Sequence, residues 1–296
     1  MKILVAIPHY FKAGSDKRYG SGRQNPKIRS QQLLRTILNL HQHFGSKTTE
    51  LDISQKRAQY IEREINLDLA IFVHQEDHLL NHLSQYHQLF KAKRVGGDPK
   101  MLGFACQKFL GEQSGYDHYL YLEDDLLIHD PSYFDKLRHL ETCYGPELLL
   151  QPHRFERGPQ ALSRKCYIDG ALREDLLLPF QQKSNPDSLI LDWGYSSIQL
   201  EKAKNPHSGT YCLSKEQWQI WTKAAHFLDL DTSFVGPLES AASLSIMKSF
   251  EVYKTISPQS HHFEVEHQGH GFISQVIKGR IPMKKNPETL SGKSKS

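Results

Sequence analysis

Apolar residues along this chain change their spacing several times, and each change predicts an element. Ile3 to Ile7 is an almost unbroken apolar run rich in β-branched residues, the pattern of a strand covered on both faces in a parallel sheet. Pro8-His9-Tyr10 ends it, and the polar, glycine-containing stretch from Phe11 to Lys27 reads as a long loop. Leu33, Leu34, Ile37, Leu38 and Leu40 recur at helical spacing and predict a helix over 30–44. A second strand is expected over 67–74, and apolar residues return at helical intervals over 76–90. Val95-Gly96-Gly97-Asp98-Pro99 is a turn, and a helix follows over 100–113. The most apolar stretch of all, Tyr119 to Ile128, is interrupted once by three consecutive carboxylates, Glu123, Asp124 and Asp125.

Strand, helix, strand, helix, strand over about the first 130 residues is the signature of a doubly wound α/β layer. The second half is less regular, with strands expected over 148–151 and 263–266 and helices over 214–225 and 237–250. It shows no solenoid repeat and no Pro- or Ser-rich linker. The expected fold is therefore a mixed, doubly wound α/β sheet in two closely abutting halves that form one continuous core.

At 296 residues and 38% hydrophobic content the chain can bury such a core. A formal charge of +4, with cations scattered among acids, argues against general nucleic-acid binding. Cys106, Cys143, Cys166 and Cys212 are far apart without CxxC spacing, which argues against a zinc ribbon or a disulfide framework. No stretch reaches the ~20 apolar residues of a membrane span. A cytoplasmic protein without a transmembrane segment is the reading, with peripheral membrane contact an open alternative.

An acidic triplet ending a buried run costs stability unless the charges meet a cation, a cavity or water. On a continuing strand Glu123 and Asp125 would point to one side and Asp124 to the other. A divalent cation carrying a phosphorylated ligand suits such oxygen donors. The competing reading is a strand end whose acids cap the next turn, and Asp130-Pro131-Ser132 has turn character.

An N-terminal strand ending in Pro, an α/β half of this size, and a hydrophobic strand running into an acidic triplet together resemble the GT-A fold of nucleotide-sugar-dependent glycosyltransferases. Three later segments resemble the same family. Ser208-Gly209-Thr210-Tyr211-Cys212-Leu213-Ser214 is similar to its glycine-containing acceptor strand, followed by Ser214-Lys215-Glu216. Gly236-Pro237-Leu238-Glu239-Ser240 stands where members carry an acid that serves the acceptor hydroxyl. Glu264-Val265-Glu266-His267-Gln268-Gly269-His270-Gly271 resembles the C-terminal histidine segment that completes the metal site. The likeness runs from Lys2 to Gly271, by order of segments more than by identities; the first position of the family's DxD-type motif is Glu here.

The resemblance implies a hexosyltransferase-type enzyme that moves a sugar from a nucleoside-diphosphate donor, UDP or GDP, to a hydroxyl of a glycan, lipid or small-molecule acceptor. Residues 1–130 would be the nucleotide-binding half, 131–275 the acceptor-binding half and 276–296 a flexible basic tail. Glu123, Asp125, His267 and His270 would form the metal site, with Asp125 the first choice and His267 preferred to His270. An imidazole ligand favours Mn2+ over Mg2+. Asp124 would meet the ribose or the metal's water shell, Pro8, His9 and Tyr10 would border the base, and Arg94 with Asp98 would approach the ribose or diphosphate. Lys12, Lys17, Arg18 and Arg23 would close over phosphate as a lid or stay solvated. Glu239 is the candidate general base, against a helix-capping role, with Asp231 and Asp192 as rivals. A sugar nucleotidyltransferase is the alternative enzyme, but Pro8-His9-Tyr10-Phe11 replaces its glycine-rich basic signature. The alternative outside catalysis is a calcium- or carbohydrate-binding module, which lacks the interleaved acids and glycine of a calcium loop.

Overall fold

A computed structural model of the chain describes residues 1–14, 25–158, 165–180 and 184–282. Lys17, Arg18, Arg23 and the tail from residue 283 lie outside the described residues.

The first apolar run becomes strand β1 (Lys2–His9), in which Ile3 to Ile7 are buried almost completely. Residues covered on both faces require neighbours on both edges. β1 pairs in parallel with β4 (Asn66–His74) on one side and with β6 (His118–Leu122) on the other. β5 (Lys91–Val95) extends the sheet beyond β4, and β13 (Thr210–Ser214) closes the opposite edge antiparallel to β6. The central order is thus β13-β6-β1-β4-β5. The chain builds outward from β1 through β4 to β5, then crosses to the other side for β6, so the direction of winding reverses between β1 and β6. In open α/β sheets, crevices for ligands form outside the carboxyl ends of strands at such a reversal.

Helix α1 (Pro26–Phe44) covers one face of the sheet with Leu33, Ile37, Leu40 and Phe44, and Asn25 caps its start by accepting from Lys27 N at 2.8 Å. Helix α2 (Leu102–Glu112) covers the other face. Segments from the second half complete both layers: Phe263 and Val265 join the core on the α1 side, and Trp221 and Phe250 join it on the α2 side. The two halves therefore share one core, as expected. Trp221, on the helix Lys215–Lys223, is fully buried and donates from Nε1 to Ser245 Oγ at 2.6 Å.

Several elements differ from the sequence pattern. The stretch 45–66, for which the pattern predicts no element, contains an antiparallel hairpin of β2 (Lys47–Asp52) and β3 (Arg57–Glu62), exposed throughout. The helical intervals over 76–90 correspond to a 3-10 helix, Leu80–Leu89, that breaks at Leu83, the one residue of it that is buried. The helix expected over 237–250 is α-helical at Pro237–Glu239, a π turn at Ser240–Leu244 and α-helical again at Ser245–Ser249. Two further sheets run through the irregular second half: β10 (Lys165–Tyr167), β9 (His153–Arg157), β15 (Glu264–His267) and β7 (Leu126–Leu127) in that order, and β11 (Ser188–Asp192), β12 (Ser197–Lys202), β14 (Glu251–Thr255) and β8 (Leu148–Leu150) in that order. Among the described residues no helix is long and apolar enough to cross a membrane.

Truncating Trp221 to Ala removes the largest fully buried side chain and orphans the Ser245 hydroxyl. The expected cost is about 3–5 kcal/mol, read as a lower denaturant midpoint at unchanged slope.

Candidate active site

Leu122 ends β6 and the chain turns at once, Leu126 N donating to Glu123 O at 3.2 Å. The three acids therefore occupy a turn between β6 and β7 (Leu126–Leu127), and the alternation expected of a strand is lost. Asp124 and Asp125 both meet Arg29, whereas Glu123 lies against Gly209 and toward Arg154. Arg29 Nη2 pairs with Asp124 Oδ1, and Nη1 donates to Asp125 Oδ2 at 2.8 Å. The other oxygen of Asp124, Oδ2, accepts from His9 Nδ1 at 2.5 Å. His9 Nε2 in turn accepts from Leu79 N at 3.1 Å, which assigns the imidazole proton to Nδ1.

The backbone of the turn is held by a polar stripe on α1. Arg29, Gln32, Thr36 and Asn39, at helical spacing, are all buried. The Thr36 hydroxyl lies 3.1 Å from the carbonyls of both Asp124 and Leu126, and Asn39 Oδ1 accepts from Ile128 N at 2.9 Å. Gln32 Nε2 donates to Gln268 O at 3.2 Å, and Gln268 Nε2 donates to Gln32 O at 2.9 Å.

Strand register brings the C-terminal histidine to the same place. β15 (Glu264–His267) pairs antiparallel with β7, opposing His267 to Leu126, and parallel with β9 (His153–Arg157), opposing Glu266 to Phe155. His267 consequently stands between Asp125 and Glu156. Its Nε2 is 3.7 Å from Asp125 Oδ2 and its Nδ1 is 3.1 Å from Glu156 Oε1. Glu156 is itself fixed, its Oε2 accepting from Phe272 N and Ile273 N at 3.0 and 2.8 Å.

Glu123 faces a second charged group. Arg154 Nη1 is 4.0 Å from Glu123 Oε2, and Arg154 and Lys254 both pair with the fully buried Asp169, at 2.8 and 3.0 Å. Gly209 adopts φ +61°, and a Cβ there would fall 2.3 Å from Glu123 Oε2, so both conformation and space demand glycine.

Burial pushes the Asp125 carboxyl up, but Arg29, followed by His267, outweighs it and holds the group at about 2. For Glu123 burial prevails over Arg154 and pushes the carboxyl up to about 7. Burial lowers His267, yet Asp125 and Glu156 leave it above its ordinary value. Five carboxyls (Glu123, Asp124, Asp125, Glu156, Asp169) thus face three permanent cations (Arg29, Arg154, Lys254). Asp125 Oδ1 has no hydrogen-bond partner among the described residues. An imidazole whose Nδ1 is held by a carboxylate while Nε2 faces an aspartate is the donor pattern that orients a metal-binding histidine. Among the described residues no three His, Cys, Asp or Glu side chains are grouped so that they could hold a metal ion; of the predicted ligands, Asp125 and His267 are the pair brought together.

The remaining predicted residues are distributed around this centre. Tyr10 packs edge-on against His74 at 6.2 Å, and His74 Nε2 is 2.8 Å from Gly97 O, so the ends of β1, β4 and β5 meet beside Pro8. Arg94 is largely exposed, 3.8 Å from Glu76. Asp98 caps the turn Pro99–Met101, accepting from Lys100 N at 2.9 Å. His270 is exposed and precedes the helix Gly271–Ile277. Glu239 sits in the first helical turn after Gly236, and its Oε2 is buried with no hydrogen-bond partner. Its rivals are engaged elsewhere: Asp231 pairs with Lys248, and Asp192 accepts from Gly194 N. Arg29, Gln32, Thr36, Arg154, Glu156, Asp169 and Lys254 did not stand out in the sequence. The usable signal was the 3-4-3 spacing of polar residues from Arg29 to Asn39, and Arg154 with Glu156 on one side of β9.

No protein-family model matches the chain, and no curated protein matches it. Among solved structures, one of GalNAc-T7 with UDP, GalNAc and Mn2+ superposes with a TM-score of 0.48 at 10% identity, covering 90% of this chain and 43% of that one. A structure of S. aureus TarS 1-349 in complex with UDP gives 0.42 at 10% identity, covering 88% and 62%, and S. aureus TarS gives 0.41 at 12%, covering 88% and 38%. The chain spans less than two thirds of each of these matched chains.

A carboxyl whose folded pKa lies above its unfolded value binds the extra proton in the native state, so stability falls as pH rises through that window. For Glu123 in the metal-free protein the window runs from 4.5 to about 7. Glu123→Gln removes this dependence, and the variant should exceed the parent by about 1–3 kcal/mol at pH 8, with the difference fading toward pH 5. Denaturant unfolding at the two pH values measures it.

Proposed function

We propose that the chain is a glycosyltransferase that moves a sugar from a nucleoside-diphosphate donor to an acceptor hydroxyl with the help of a divalent cation. The observation that carries this reading is the convergence of Asp125 and His267, from segments 142 residues apart in sequence, beside the carboxyl ends of β1 and β6. Asp125 and His267 would hold the cation, with Glu123 next to them. A bound cation would supply Lewis-acid stabilisation of the negative charge that grows on the departing diphosphate. The imidazole favours Mn2+ over Mg2+. His270 is the weaker donor, being exposed ahead of its helix.

The chain's own residues divide the remaining work. Arg29 keeps Asp125 ionised, and Asp124 anchors Arg29. The rim formed by Pro8, Tyr10, Arg94 and Asp98 at the ends of β1 and β5 is where a UDP- or GDP-type nucleotide would lie, and His9 supports it from beneath through Asp124. Glu239 would take the proton from the acceptor hydroxyl; its unpartnered buried oxygen is an unengaged acceptor for it. Residues 1–130 would then serve the nucleotide and 131–275 the acceptor, a glycan, lipid or small molecule. The four cysteines are free thiols, which suits a cytoplasmic setting.

Incubation with Mn2+ and a panel of UDP- and GDP-sugars should release nucleoside diphosphate slowly from one donor. Asp125→Asn should lower that rate at least about 10-fold. Equal hydrolysis by parent and variant would rule out Asp125 as the cation's ligand.

A further inference from the structure

Arg29 belongs to no motif of the sequence, yet it is the most heavily committed cation near the candidate centre. Its side chain is 9% exposed and spans two adjacent carboxylates, Asp124 through Nη2 and Asp125 through Nη1. Asp124 cannot turn away, because its second oxygen is occupied by His9, whose own second nitrogen is occupied by Leu79 N. Helix α1 cannot slide, because Gln32, Thr36 and Asn39 bind the backbone from Asp124 to Ile128 and at Gln268. Asp125 is therefore fixed at Oδ2, the oxygen that also faces His267 Nε2 at 3.7 Å, while Oδ1 makes no hydrogen bond among the described residues.

We propose that Arg29 is a positioning residue for the cation site: anchored by Asp124 and His9, it holds the Asp125 carboxylate at the place beside His267 where both would reach one divalent cation. This deepens the transferase reading and rests on it. It also reassigns Asp124 from contact with nucleotide or metal water to anchorage of Arg29, since both its oxygens are engaged within the chain. Partners that orient a metal's carboxylate and imidazole ligands typically contribute 10- to 100-fold to metal affinity. A lysine at position 29 would keep the charge but lose the fork that reaches two carboxylates at once.

The test is Mn2+ affinity, measured by electron paramagnetic resonance of the full chain with saturating UDP or GDP, alongside nucleotide affinity without metal. Arg29→Met should weaken Mn2+ binding about 10- to 100-fold and Arg29→Lys by less, both with metal-free nucleotide affinity unchanged. Asp124→Asn should weaken it too, and the double variant Asp124→Asn/Arg29→Met should lose less than the product of the single losses. Unchanged Mn2+ affinity in Arg29→Lys and Arg29→Met would overturn the role of Arg29 and leave the transferase reading intact. Equal loss of metal and nucleotide binding would make Arg29 merely structural and also overturn the inference. A parent protein that binds no Mn2+ with either nucleotide would instead overturn the reading beneath it.

Discussion

The candidate site depends on one buried electrostatic arrangement, a guanidinium shared between two consecutive aspartates. Two carboxylates side by side at the end of an apolar strand repel each other and lose hydration, so they cannot both stay ionised in that place without a fixed cation. Burial pushes the Asp125 carboxyl up, and Arg29, joined by His267 and Arg154, outweighs it and holds the group at about 2. Almost every nearby polar contact follows from keeping Arg29 there: the polar stripe of α1, the closed pair of His9 hydrogen bonds and the exchange between Gln32 and Gln268.

The sheet supplies the location and the electrostatics supply the chemistry. Winding reverses between β1 and β6, the place where open α/β sheets form ligand crevices, and the turn of acids follows β6 at its carboxyl end. β7 and β15 then bring His267 in by register, directly opposite Leu126 and so next to Asp125. Beneath, Arg154 and Lys254 share Asp169, and Arg154 faces Glu123 without offsetting its burial.

Much of this was legible in the chain. The β1 run, α1, α2 and the acidic interruption after β6 each follow from periodicity, because sterics and burial force a period of two or near four on any long element. The order of acids, glycine strand and C-terminal histidine suggested a common site, and register brings Asp125 and His267 within 3.7 Å. Other features were hidden for physical reasons. Whether the acids continue the strand or form a turn is decided by the Glu123–Leu126 hydrogen bond and by Gly209, which leave no trace in hydrophobic pattern. His9 read as a residue bordering the base, yet its ring is fully buried, because a polar residue at a strand end can face inward when a carboxylate waits there. Arg29 escaped notice since one arginine among many cations carries no spacing signal; only its helical series with Gln32, Thr36 and Asn39 marks it. The three tryptophans, open to a sugar-stacking role in sequence, serve packing: Trp218 stacks on Tyr119, Trp221 fills the core and Trp193 packs against His139 and His262.

The central claim is that the aspartate gripped by Arg29 and the imidazole backed by Glu156 are two donors of one cation site. Anomalous diffraction at the manganese edge, from crystals grown with Mn2+ and UDP or GDP, tests it most directly. The account predicts a single strong peak within bonding distance of Asp125 and His267 Nε2, adjoining the diphosphate. A bound nucleotide with its manganese held by other residues would contradict it.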